Sequence, residues 1–189
     1  MAVATPETQA LQRRCRMTAE DLAHPGVPEK FVELVEGELI VMTPAGYRHN
    51  RVAYRLQNLF ERFCKERPGL CFGSDNEGFL VKRNPDSVLS PDACLFRERP
   101  ASGTTWMEFS PEIAAEVPSP SNSMAEMAFK RQRFFNAGTE QFWLAEVETS
   151  TLHIYFADGR VVSLQGEGKI EGEGILSGLK YTLAEVFSN

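Results

Sequence analysis

The sequence predicts a mixed α/β (α+β) fold in which a mixed central β-sheet is flanked by helices, with one hairpin near the N-terminus and another near the C-terminus. Three observations carry that prediction. Val52, Leu56, Leu59, Phe60 and Phe63 recur at helical spacing, so a long amphipathic helix lies early in the chain. Residues 113–146 read as apolar strand, helix and apolar strand in immediate succession, the order of a βαβ unit. Glu36-Gly37 and Asp158-Gly159 each separate two short strand-like runs, and glycine supplies the positive φ that a tight hairpin turn requires.

Residues 1–17 are polar with scattered arginines and no period, which predicts a flexible arm. Thr18 before Ala19, Glu20 and Asp21 signals a short helix, closed by Pro25 and Gly26. FVELVEGELIVM, residues 31–42, is the first hairpin. The long helix spans residues 47–65, and Arg48, Arg51, Arg55 and Arg62 fall largely off its apolar face; they either track phosphates or solvate the helix flank. After Pro68-Gly69, residues 70–81 suggest a bulged strand or a two-strand meander. Asn84-Pro85-Asp86 is a turn, and residues 88–96 read as one strand carrying Asp92. A polar loop over residues 97–110 holds Trp106, and residues 113–117 form a strand without alternation, the mark of burial on both faces. Pro118 and Pro120 end it, Ser121 or Ser123 caps the next helix, and Gly138 closes that helix. Residues 141–146 complete the βαβ unit. Residues 151–156 and 161–164 form the second hairpin, 166–174 an exposed loop, and 179–187 a segment that closes the fold against the core.

At 189 residues and 42% hydrophobic, the chain is expected to bury one core, as a single domain over residues 18–189 behind the arm. Its apolar runs are too short to cross a bilayer, and residues 1–16 lack the apolar centre of a secretory signal, so a cytoplasmic protein without membrane attachment is expected. Cys15, Cys64, Cys71 and Cys94 form no C-x-x-C pair, which argues against structural zinc and disulfides. A net charge of −6 and a pI near 5.2 exclude a protein that coats nucleic acid by bulk positive charge, but leave room for a local basic face.

Asp92, Glu116 and Lys130 are the candidate chemistry. Hydrolysing a phosphodiester needs neutralised phosphate charge, an activated water and a stabilised leaving oxygen; a hard divalent cation held by one or two carboxylates supplies these. Glu116 ends an apolar strand, where a carboxylate is costly to bury without a metal, a cation or a proton. Lys130, on the following helix, is placed to orient or deprotonate the attacking water and to offset developing charge.

The order of these pieces resembles the PD-(D/E)XK nuclease superfamily and, more closely, the Uma-type restriction endonucleases. The likeness runs from MTAEDLA through FVELVEGELIVMTPAGYRHNRV, LSPDACLF, PEIAAEVPSPS and KRQRFFNAGTEQFWLAEV to GILSGLKYTLAEVF. It implies a restriction-endonuclease-like core and Mg²⁺-dependent hydrolysis of DNA, with Mn²⁺ able to substitute. It places the Pro-Asp of the family on Pro91-Asp92, the strand-end Glu on Glu116 and the lysine on Lys130, with Pro118 standing where the wider superfamily has its lysine. It further implies the Val117 carbonyl and Glu33 as metal ligands and His49 as a catalytic histidine. Glu126 and Glu146 stand where the family shows Asp, each one methylene longer.

Plainer readings stand beside these. Asp92 can cap a turn, Lys130 can edge its helix, His49 can be a hydrogen-bonded first-turn residue, and Glu33 can be a cross-strand partner. For the whole chain, the alternatives to an endonuclease are a catalytically inactive nucleic-acid-binding or regulatory module on the same fold, and a structural domain whose buried acids are internally paired. DNA is the expected partner, and a homodimer is plausible because cutting both strands calls for two sites.

Overall fold

The expected first hairpin is present: β1 (Val32–Val35) pairs antiparallel with β2 (Glu38–Val41) through a turn in which Glu36 and Gly37 have φ of 52° and 81°. The structure is a computed structural model that describes residues 16–28, 32–74, 77–100, 105–119 and 122–188. Of the expected arm, residues 1–15 lie outside the described residues, as do Pro120 and Ser121; Met17 donates its amide to the Gly37 carbonyl at 2.9 Å.

The described strands form three sheets. One has the order β2-β1-β5-β4, with β4 at Phe79–Lys82 and β5 at Ser87–Leu89. The central sheet has the order β10-β9-β8-β7-β6-β3. Its members are β3 (Leu70–Ser74), β6 (Ala93–Arg97), β7 (Ile113–Glu116), β8 (Gln141–Glu146), β9 (Thr151–Phe156) and β10 (Val161–Leu164). Within it β7 and β8 run parallel and the other neighbours antiparallel, so the sheet is mixed. A third pair, β11 (Lys169–Glu171) and β12 (Lys180–Thr182), precedes a closing helix α3 at Leu183–Phe187.

The long helix α1 spans Tyr47–Lys65, the stretch its apolar spacing predicts. Its N-cap is Gly46, which has no side chain to cap it, so packing supplies most of its stability. Leu56 and Phe60 are fully buried, and Phe60 meets Trp143 at 5.4 Å between ring centroids. Helix α2, at Met124–Asn136, begins with a capping box: the Ser123 hydroxyl accepts from the Glu126 amide while Glu126 Oε2 accepts from the Ser123 amide. The two helices cover opposite faces of the central sheet. Ala115, Trp143 and Ala145 share a core with α1, whereas the intervening Ala114, Phe142 and Leu144 share one with Phe134 of α2.

Four expectations are corrected. Residues 88–96 are not one strand: β5 ends at Leu89 in the outer sheet, β6 begins at Ala93 in the central one, and Ser90, Pro91 and Asp92 form the corner between them. Residues 70–81 are likewise divided, with β3 and β4 in different sheets. The stretch 166–174 contains β11, whose Ile170 is fully buried. Thr18 does not cap an α-helix; a single 3-10 turn follows at Glu20–Ala23, and the Asp21 carboxylate accepts from the Thr18 amide and hydroxyl. The first two share one cause: a chain that changes sheet at a bend keeps the same apolar composition on both sides of it, so pattern alone reads it as continuous.

Candidate active site

Four elements converge where the two larger sheets meet. The corner at Ser90–Asp92 supplies Asp92, the end of β7 supplies Glu116, β1 supplies Glu33, and α2 supplies Lys130. The pairing of Ala93 with Ala115 sets Asp92 opposite Glu116 one step further along the antiparallel register. Lys130 Nζ lies 2.7 Å from Glu116 Oε1, 2.9 Å from Glu33 Oε1 and 3.4 Å from the Ser90 carbonyl. Asp92 Oδ2 accepts the Val117 amide at 2.7 Å, just past the end of β7, and lies 3.4 Å from Nε2 of His49 in the first turn of α1. The fold therefore brings Glu33, His49, Asp92, Glu116, Val117 and Lys130 together in one place.

The site carries three carboxylates, one amine and one imidazole. Glu33 and Glu116 are buried, and only about a tenth of the Lys130 side chain is exposed. Burial pushes the Glu116 carboxyl up, and Asp92 and Glu33 push it further against the pull of Lys130, to about 8. Burial alone would lower the Lys130 amine, but Glu116 and Glu33 outweigh it and hold the ammonium well above its ordinary range. A raised amine favours the ammonium, so of the two roles expected of Lys130, orienting or deprotonating the water, the arrangement suits a donor that orients. His49 is raised as well, since Asp92 outweighs the lowering effect of burial. One atom is left without an aligned partner. Glu116 Oε1 is buried and makes no hydrogen bond of acceptable geometry among the described residues, although the Lys130 nitrogen is close to it.

That buried oxygen, met by Lys130 alone, bears on whether a divalent cation fits. Anionic oxygens outnumber the positive charges around Glu116, and hard oxygen donors suit Mg²⁺ or Mn²⁺. Among the described residues, no three His, Cys, Asp or Glu side chains are gathered as a ready-made cage. Mg²⁺ bound by a protein keeps several waters and takes one or two carboxylates. Asp92, Glu116 and the Val117 backbone fit that role. Glu33 fits it less well, because its Oε1 is taken by Lys130 and by the Ser90 amide at 2.8 Å.

The sequence model of the family described as "Uma2: Putative restriction endonuclease" matches residues 19–184. The chain belongs to this family. A crystal structure from Anabaena variabilis, described as that of a putative nuclease belonging to DUF820, matches the Uma2 fold seen here with a TM-score of 0.76. It is 16% identical, and the match covers 91% of this chain and 98% of that one, so the likeness speaks for the fold. No curated protein matches the chain.

Two residues of this Uma2 site were not foreseen from the sequence. Ser90 is the hub of the corner: its amide donates to Glu33, its carbonyl faces Lys130, and its hydroxyl donates to the Glu77 carbonyl at 2.7 Å. Gln57 donates from Nε2 to the Asp92 carbonyl at 2.7 Å. Gln57 lies two turns after His49 on the same helix face, and that spacing was the available signal. Glu126 and Glu146 have other work. Glu126 closes the capping box, and Glu146 accepts from the Thr149 hydroxyl at 3.1 Å and faces His153. Of the arginines on α1, Arg48 pairs with Glu148 and Arg55 reaches the Val186 carbonyl.

No helix among the described residues is long and apolar enough to cross a membrane. Cys64, Cys71 and Cys94 are free thiols, and Cys15 lies outside the described residues.

Proposed function

We propose that the protein is an endonuclease that hydrolyses DNA phosphodiester bonds with a divalent cation, Mg²⁺ or in its place Mn²⁺, held by Asp92 and Glu116 with the Val117 backbone. The single observation that carries this reading is the convergence of Asp92, Glu116 and Lys130 from three separate elements. When bound, the cation supplies phosphate charge neutralisation and a water nucleophilic near neutral pH. The protein's own groups do the rest. Lys130, held protonated and aimed by Glu33 and Glu116, donates to the non-bridging phosphate oxygens, where negative charge grows as water adds and the leaving oxygen departs. His49 acts as a positioning residue that, with the Val117 amide, fixes the Oδ2 oxygen of Asp92. Gln57 and Ser90 hold the corner so that Asp92 and Glu33 keep their places.

The test is nicking of supercoiled plasmid with Mg²⁺ or Mn²⁺ by the wild type, Asp92→Ala and Lys130→Ala. The wild type is expected to nick and both variants to fail. Cleavage that survives in both variants refutes the assignment, and salt-sensitive binding by the wild type without metal-dependent cleavage moves the protein to the inactive binding module. Cutting both strands also calls for two sites, so a homodimer belongs to this proposal, and sedimentation on a cognate duplex tests it.

A further inference from the structure

We infer that the cleft beside the first turns of α1 is a subsite for one nucleotide of the substrate strand flanking the scissile phosphate. The inference rests on the nuclease reading above. The cleft has a volume of about 160 Å³ and lies between Tyr47, Arg48, Arg51 and Val52 of α1, Val147 after β8, and Phe187 at the end of α3. That is well below the roughly 300 to 1,000 Å³ of sites that enclose a whole small-molecule ligand. It suits a single unit of a polymer held elsewhere as well.

Its chemistry is that of a nucleotide: apolar walls from Val52, Val147 and Phe187, with two guanidinium groups at the side. Arg51 makes no hydrogen bond or ion pair among the described residues, a cation left free on a protein of net charge −6. Arg48 faces Glu148 at 3.3 Å, but both side chains stand mostly in water, where such a pair is screened and readily exchanged for a phosphate. Tyr47 is 78% exposed, the most exposed large apolar side chain among the described residues. An open aromatic face beside exposed guanidiniums is how strands are gripped without reading sequence, by stacking and by phosphate contact.

The location agrees with the chemistry. His49, next in sequence to Arg48, reaches Asp92, and Val147 follows the strand whose Leu144 pairs with Glu116. The cleft therefore opens along the same edge of the central sheet as the carboxylates, one strand further over. A backbone bound with one phosphate at Lys130 runs on toward Arg48 and Arg51.

The experiment is equilibrium binding of a fluorescein-labelled DNA duplex with a single-stranded overhang, followed by anisotropy in EDTA, for the wild type, Tyr47→Ala and Arg51→Gln, from about 50 to about 200 mM salt. Plasmid nicking with Mg²⁺ and thermal melts run in parallel. Arg51→Gln is expected to weaken binding about tenfold and to reduce the salt slope by about one. Tyr47→Ala is expected to weaken it by about tenfold with the slope unchanged. Both should melt with the wild type, since both side chains are exposed. Variants that bind with wild-type affinity and slope while the wild type nicks normally overturn the subsite and leave the nuclease reading standing. A wild type that neither binds nor nicks overturns both.

Discussion

Lys130 Nζ stands 2.7 Å from Glu116 Oε1 in a site where neither group is open to solvent, and this contact governs both the charge and the stability of the centre. Removing the amine leaves Glu33 and Glu116 buried without their cation, and the fold must then either keep an unpaired charge or bind a proton in its place. Lys130→Met is therefore expected to lower nicking by about a hundredfold or more and also to lower the melting temperature. The double variant Lys130→Met with Glu116→Gln should regain much of the stability and none of the activity. Melting curves and nicking rates on the same preparations check both halves, and recovery of activity in the double variant would falsify the role given to the pair.

Asp92 does two jobs with one oxygen, accepting the Val117 amide at 2.7 Å and facing His49. Asp92→Asn keeps an oxygen for the amide but removes the charge. It should fold within about 1 kcal/mol of the wild type and lose metal-dependent nicking. Asp92→Ala also orphans the amide and should be less stable than Asp92→Asn by about 1 to 3 kcal/mol. Urea unfolding of the two variants side by side reads the difference.

The raised Glu116 carboxyl makes both stability and metal binding depend on pH. In the native metal-free protein it holds its proton up to about 8, whereas in the unfolded chain it ionises near 4.5. The native state thus binds more protons across that window, and stability falls as pH rises through it. His49 adds a contribution of the same sign above its ordinary value of 6.5, so the assignment rests on the difference between the wild type and Glu116→Gln. Melts in EDTA from pH 5 to pH 8 should show a steeper decline for the wild type. Because binding a cation displaces the Glu116 proton, Mg²⁺ affinity should climb with pH up to about 8 and then level off. A pH-independent affinity over that range contradicts the ligand assignment.

The sequence revealed the site better than it revealed the sheets, and for a physical reason. Glu116 stood out because a carboxylate at the end of IAAE has no business in an apolar strand without a partner, and the structure gives it Lys130. Helix α1 was legible because an apolar stripe recurs from Val52 to Phe63 within its 19 residues. The corner at Ser90–Asp92 was not legible, since its flanks SVL and ACLFR are both buried apolar strands and only their partners, β1 and β4 on one side and β3 and β7 on the other, differ. Ser90 acts through its backbone, and backbone groups leave no trace in residue type. The charge of Lys130 was likewise hidden, because a protonation state depends on how many carboxylates the fold brings to it.

Gly172 marks the second place where the chain is tighter than its composition suggests. It sits in a stretch rich in glycine and glutamate, yet a Cβ there would lie 1.9 Å from the Leu176 carbonyl oxygen and 2.7 Å from the Leu179 side chain. Both neighbours are fixed. Leu176 and Leu179 are buried, and the Gly172 amide donates to the Leu179 carbonyl at 2.9 Å, so the strain cannot be relieved by a side-chain rotation. Gly172→Ala is expected to destabilise the protein by about 1 to 3 kcal/mol, as overpacking does, and to lower the melting temperature by about 2 to 4 °C for each kcal/mol. Gly46→Ala is the control, because that position has φ of −71° and nothing within 4 Å of an added Cβ. If the two variants unfold at the same urea concentration, residues 172–179 are not packed as described, and the closing segment that carries Phe187 to the cleft loses its anchor.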